Sequence, residues 1–253
     1  MSAQHRNALM FFAVLFALEA GPPVSAQETE VTLNQNKAIS GGVTPGDKSG
    51  FPITITRPGR YVLTSNLYPT LSKNGIEIKA YDVTIDFNGF ILHGGFQGQT
   101  NGIDGNSVNT VKIMNGLIAG FKNFAIIGND SWVVENMRVS ANTGGIALKN
   151  FARVQRNTIT INGTAGISCK DGCLVEGNVI SANYEGIQIN SGTVLGNTIT
   201  HNEFFGIEAF EASAPVGFGN NTLSYNNGGS AQVHAVGLKG LKPLQPNACL
   251  PVC

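Results

Sequence analysis

The chain has 253 residues, and its sixteen basic and sixteen acidic side chains leave no net charge at neutral pH. With charged residues at only 13%, it offers no electrostatic footprint for nucleic acid or an anionic membrane. Thirty-two glycines argue against a helical protein, and 42% apolar residues at regular spacing argue against disorder.

The N-terminus reads as a secretory signal over residues 1–26. His5 and Arg6 give a basic start, Ala8 to Leu18 is an apolar run, Pro22 and Pro23 break it, and Val24-Ser25-Ala26 precedes Gln27. The run of eleven residues is well short of the roughly 20 needed to span a bilayer, so no transmembrane segment is expected in the mature chain. Residues 27–67 are expected to form an N-terminal cap and entry strands. Residues 68–229 carry repeats, and residues 230–253, with Pro243, Pro246 and Pro251, close the other end.

The repeats are read from Gly-Ile pairs at 75–76, 102–103, 145–146, 166–167, 186–187 and 206–207, with Ala125-Ile126 in the gap. The isoleucines are separated by 27, 23, 20, 21, 20 and 20 residues. Pieces such as "GIEIK", "GIALK" and "GIQIN" alternate with the period of a strand. A unit of this length holds three short strands and three turns, without a helical stretch. It cannot bury its apolar face alone, so the pattern predicts a triangular solenoid whose strands pair in parallel with their counterparts one unit later. Each turn rises by about 4.8 Å. A leucine-rich repeat is rejected, because Ile, Val and Gly dominate and no unit has a helix.

Asn115, Asn136, Asn157, Asn178, Asn197 and Asn221 follow the same beat and are expected to form a structural ladder at a corner. Asn tolerates left-handed backbone, and its amide can bond to the coils above and below. A further series, Asn142, Asn162, Asn183, Asn202 and Asn226, runs beside it.

The segments "PITITRPGRYVLTSNLYP" and "DVTIDFNGFILHGG", followed by repeated "GN(T/V)I" units, resemble right-handed parallel β-helix repeat proteins of the pectin-lyase-like superfamily. The resemblance implies an all-β fold, a single-stranded right-handed parallel β-helix of about seven coils of 20–27 residues with terminal caps. It also implies an exported protein, periplasmic or extracellular, that binds or modifies polysaccharide, with polyuronate lyase-like activity as one form. The other reading is a non-catalytic surface, adhesion or structural module. No Gly-His-Gly or Asp-Pro-His-Asp signature of the superfamily's enzymes occurs, and Arg57-Pro58-Gly59-Arg60 reads as a turn entering a strand.

Loops decide function on such a rod. The longest unit has its excess around "HGGFQGQTN", residues 93–101, close to outward charges. Glu77, Lys79, Asp104 and Lys112 are the candidate catalytic residues: a lyase needs a base and a cation to stabilise developing charge. His93, Phe96 and Asp86 are the candidate substrate-binding residues. The carboxylates could hold Ca²⁺; no other cofactor and no metal ligand set is expected. A second candidate is "HNEFFGIEAFEASAP", where Phe204, Phe205 and Phe210 sit near Glu203, Glu208 and Glu211. Aromatics with carboxylates suit sugar binding, though such phenylalanines more often fill a core or seal an end. Cys169, Cys173, Cys249 and Cys253 are expected as disulfides 169–173 and 249–253, favoured over the crossed connectivities and a four-thiolate zinc site. Trp132 is either outward or a corner plug.

Overall fold

The computed structural model describes residues 30–70, 72–210, 214–235 and 240–250. The signal segment expected over residues 1–26 lies outside them. The chain winds into a parallel β-solenoid of about nine turns with three walls. The first wall is a sheet of nine parallel strands running from Ile53–Ile55 to Val233–Ala235. The second and third walls are joined into one sheet because Val111–Ala119 and Val133–Ser140 run around the corner between them.

Three inward columns fill the coil. On the first wall Ile53, Ile76, Ile103, Ile126, Ile146, Ile167, Ile187 and Ile207 stack in register. Tyr61, Ile85, Ile113, Val134, Val154, Val175, Val194 and Phe218 stack on the second. The third has Leu92, Ile118, Val139, Ile159, Ile180, Ile199 and Leu223. All are buried. Burying each side chain stabilises by about 1.5–3 kcal/mol, which a single coil could not gain alone.

The count of seven coils is corrected to about nine. The missed rungs, Ile53–Ile55 and Val233–Ala235, pair with the first wall like the rest. They lack the preceding glycine, Pro52 and Gln232 standing in its place. The glycines themselves are required by close approach. A Cβ on Gly75 would sit 2.6 Å from the carbonyl oxygen of Gly102, and one on Gly145 would strike the carbonyl oxygen of Gly166. Backbone of successive coils meets there.

The asparagine ladder is real in part and shifted in part. Asn157, Asn178, Asn197 and Asn221 face inward and are fully buried. Asn157 Oδ1 accepts Met137 N, and each later rung takes both the backbone N–H and the side-chain amide of the one before it: Asn157 N and Nδ2 donate to Asn178 Oδ1 at 2.9 and 3.0 Å. Asn178 donates likewise to Asn197, Asn197 to Asn221, and Asn221 to Asn247. Asn115 and Asn136 do not belong to this column. They are one position earlier, at the left-handed corner residue with φ of 63° and 53°, which later coils fill with Arg156, Gly177, Gly196 and Asn220. The physical roles therefore divide. One residue takes the left-handed bend, and the next supplies the buried amide. Asn142, Asn162, Asn183, Asn202 and Asn226 repeat this arrangement at the third corner, where Gln232 ends the series.

At the start of the rod the helix Gln35–Ser40 buries Ala38 in the core, and Asn34 caps it by accepting from Lys37 N. Trp132 is a corner plug, fully buried over Gly105 and Gly128, with its indole N–H donating to Val108 O at 2.8 Å. Cys169 and Cys173 are joined in a disulfide, which removes them as zinc ligands. The pairing of Cys249 with Cys253 involves a residue outside those described.

Candidate functional site

The residues singled out from the sequence distribute over three walls. Glu77, Lys79 and Asp104 come together on the first wall, where Glu77 and Asp104 are register partners on adjacent strands. With Asn106 and Ser107 they line a shallow depression of about 320 Å³. Lys79 Nζ lies 3.3 Å from Glu77 Oε2. Asn74 donates to Glu77 at 3.3 Å, and Asn101 donates to Asp104 at 2.9 Å. The charges are thus engaged with neighbours.

Lys112 is elsewhere. It lies on the second wall, its ammonium 2.7 Å from Glu135, which also pairs with Arg156 at 2.9 Å. Asp86, also on the second wall, is almost fully buried and accepts from Arg60 at 2.7 Å, from Asn115 and from Asn88 N. Such a carboxylate is a structural anchor. His93 ends a third-wall strand, its Nδ1 accepting from Gly95 N, and Phe96 makes an edge contact with its ring. The seven residues therefore do not form one site. Among the described residues no group of three or more His, Cys, Asp and Glu side chains is placed to hold a metal ion.

A better-formed arrangement lies further along the first wall. The outward column there reads Ile127, Ala147, Ser168, Gln188, Glu208 and His234, one residue per rung. Glu208 is nearly buried, its Oε1 3.1 Å from His234 Nδ1 and its Oε2 accepting from Gln188 Nε2 at 3.4 Å. Glu185 stands beside it. Burial pushes the Glu185 carboxyl above the ordinary carboxylate range, the Glu208 charge pushes it further, and a hydrogen bond from Gln188 partly opposes both.

Aromatic rings border this group. Tyr184 and Phe204, both exposed, meet at 4.6 Å between centroids. Phe205 stacks on His234 at 4.3 Å with the planes 13° apart, and His201 stacks on Tyr225 at 5.1 Å. The expectation that Phe204 and Phe205 fill the core or seal an end is replaced by outward rings. Glu211 lies outside the described residues. Between Phe124 and Tyr184 the small residues Ala165 and Ser168 leave a groove of about 290 Å³ that Glu185 and Gln188 complete.

Tyr184, Glu185 and His234 were missed in the sequence. Writing the repeats beneath one another and reading down each column would have placed Glu185 in the position before Gly-Ile and His234 under Glu208. No protein-family model, curated protein or solved structure matches the chain. Among the described residues no helix is long and apolar enough to cross a membrane.

Proposed function

We propose that this protein is an exported glycan-binding β-solenoid of the pectin-lyase-like kind, and that it binds without cleaving. The observation that carries the reading is the row of outward aromatic pairs, Tyr184–Phe204 and Phe205–His234, beside the groove holding Ser168, Glu185 and Gln188. Rings of this sort give the apolar faces of pyranoses a flat partner, while carboxylate and amide groups take their hydroxyls. From Ile126 to Val233 the first wall advances five rungs, about 24 Å at the parallel-strand spacing, so the surface suits an extended chain of sugars. The Cys169–Cys173 disulfide and the apolar run at residues 8–18 support export.

Binding is favoured over lyase chemistry because Lys79 and Lys112 each sit in an ion pair, on different walls. No lysine lines the groove beside Glu185. Titration calorimetry of the full chain against neutral, amino-sugar and uronate oligosaccharides tests the reading. Binding of at least one class is expected, and Tyr184→Ala combined with Phe204→Ala should weaken it by about tenfold, as loss of a ring platform does. Failure of every glycan to bind, or release of unsaturated uronate products, would defeat it.

A further inference from the structure

We infer that the groove between Phe124 and Tyr184 selects a glycan carrying free amino groups, taking the sugar in its ammonium form. This deepens the glycan-binding reading and rests on it. The groove has a half-buried acid, Glu185, at one side and no lysine or arginine among the residues that line it. Its charged neighbours across the wall are Glu208, held by Gln188 and by His234 on the side away from the groove. A carboxylate set in apolar surroundings, next to a second one, is left with only a glutamine amide to balance it. An ammonium placed there relieves the burial and the repulsion together.

The rings supply a second reason. The Tyr184 ring lines the groove next to Glu185 and meets Phe204 at the groove's edge, and a cation near an aromatic face is attracted by the ring quadrupole. Ser168 and the Gln188 amide oxygen offer acceptors, since Gln188 Nε2 donates to Glu208. Other sugar classes fit less well. A uronate would bring its own carboxylate against Glu185 and Glu208, and an N-acetylated sugar would leave Glu185 without a cation.

The test is calorimetric titration of the full chain, at about pH 6, with a hexamer of glucosamine, its fully N-acetylated counterpart, a galacturonate hexamer and oligolysine. The glucosamine hexamer should bind about tenfold more tightly than the N-acetylated one, in keeping with a charge-assisted contact. Glu185→Gln should bring the two to similar affinity, with the thermal melt reporting that the fold is intact. Affinity for glucosamine should fall as the pH is lowered through the range where Glu185 takes up its proton. Tighter binding of the N-acetylated or galacturonate hexamer, or a preference that survives Glu185→Gln, would overturn the inference while leaving glycan binding standing. Oligolysine binding as well as glucosamine would overturn it too, in favour of a basic peptide. Silence from all the sugars would sink the glycan reading itself.

Discussion

Replacing Asn178 by alanine removes one rung from a buried ladder, and the cost can be followed bond by bond. Asn178 Oδ1 accepts Asn157 N at 2.9 Å and Asn157 Nδ2 at 3.0 Å, while its Nδ2 donates to Val154 O at 2.8 Å and to Asn197 Oδ1 at 2.9 Å. Not all four partners are stranded. Asn157 Nδ2 still reaches Val134 O, and Asn197 Oδ1 still accepts Asn178 N. The group left without an acceptor is the buried Asn157 N–H, and Val154 O loses a donor. An orphaned buried group costs about 1–3 kcal/mol, so with the lost side-chain bonds Asn178→Ala should destabilise by about 3 kcal/mol. Asn136→Gly is the control. Asn136 is exposed, its bonds to Asn115 and Arg156 are 3.4 Å long, and glycine accepts φ of 53°, so the change should stay within about 0.5 kcal/mol. Urea unfolding followed by the single tryptophan, Trp132, reads the global cost. Because a solenoid can open coil by coil, amide exchange at Asn157 reads the local one. An Asn178→Ala variant that leaves Asn157 protected and stability within about 1 kcal/mol of the parent, or an equal cost for Asn136→Gly, would refute the ladder's energetic role.

Two further outcomes are expected. Ile161 is an exposed β-branched residue at φ of 58°, where a side chain other than Asn costs about 1–2 kcal/mol, so Ile161→Asn should raise the melting temperature; a lower one would show that its contacts outweigh the strain. For Glu185 the sign follows from its raised carboxyl: the folded state holds the proton more tightly than the unfolded chain. Its contribution to stability is therefore favourable at low pH and declines as pH rises from the ordinary carboxylate range through the folded value. Glu185→Gln should accordingly melt higher than the parent at about pH 7.5 and lose that advantage at about pH 3.5, checked by paired melts; the opposite pH trend would mean that a cation already balances the carboxylate.

How far the sequence could be read depended on the kind of signal. The inward isoleucines from Ile76 to Ile207 were legible because the same side chain recurs at the same phase, and each must be branched and apolar to fill the coil. The terminal rungs were hidden since Pro52 and Gln232 interrupt the Gly-Ile pattern while Ile53 and Val233 keep the packing. For the candidate site, closeness along the chain misled. Lys112 follows Asp104 by eight residues yet lies on another wall, because the chain turns a corner between them. Glu208 and His234 are 26 apart in sequence and touch.

The sequence by itself determined the solenoid and most of the residues that fill it, since these follow from a local pattern repeated at fixed spacing, and one disulfide, since Cys169 and Cys173 flank a tight turn. Which charges meet, which rings stack and which asparagine faces inward were decided only by the tertiary structure. The reason is physical: outward side chains are not constrained by packing, so their identity varies from coil to coil, and their neighbours are set by the register of strands a full turn apart.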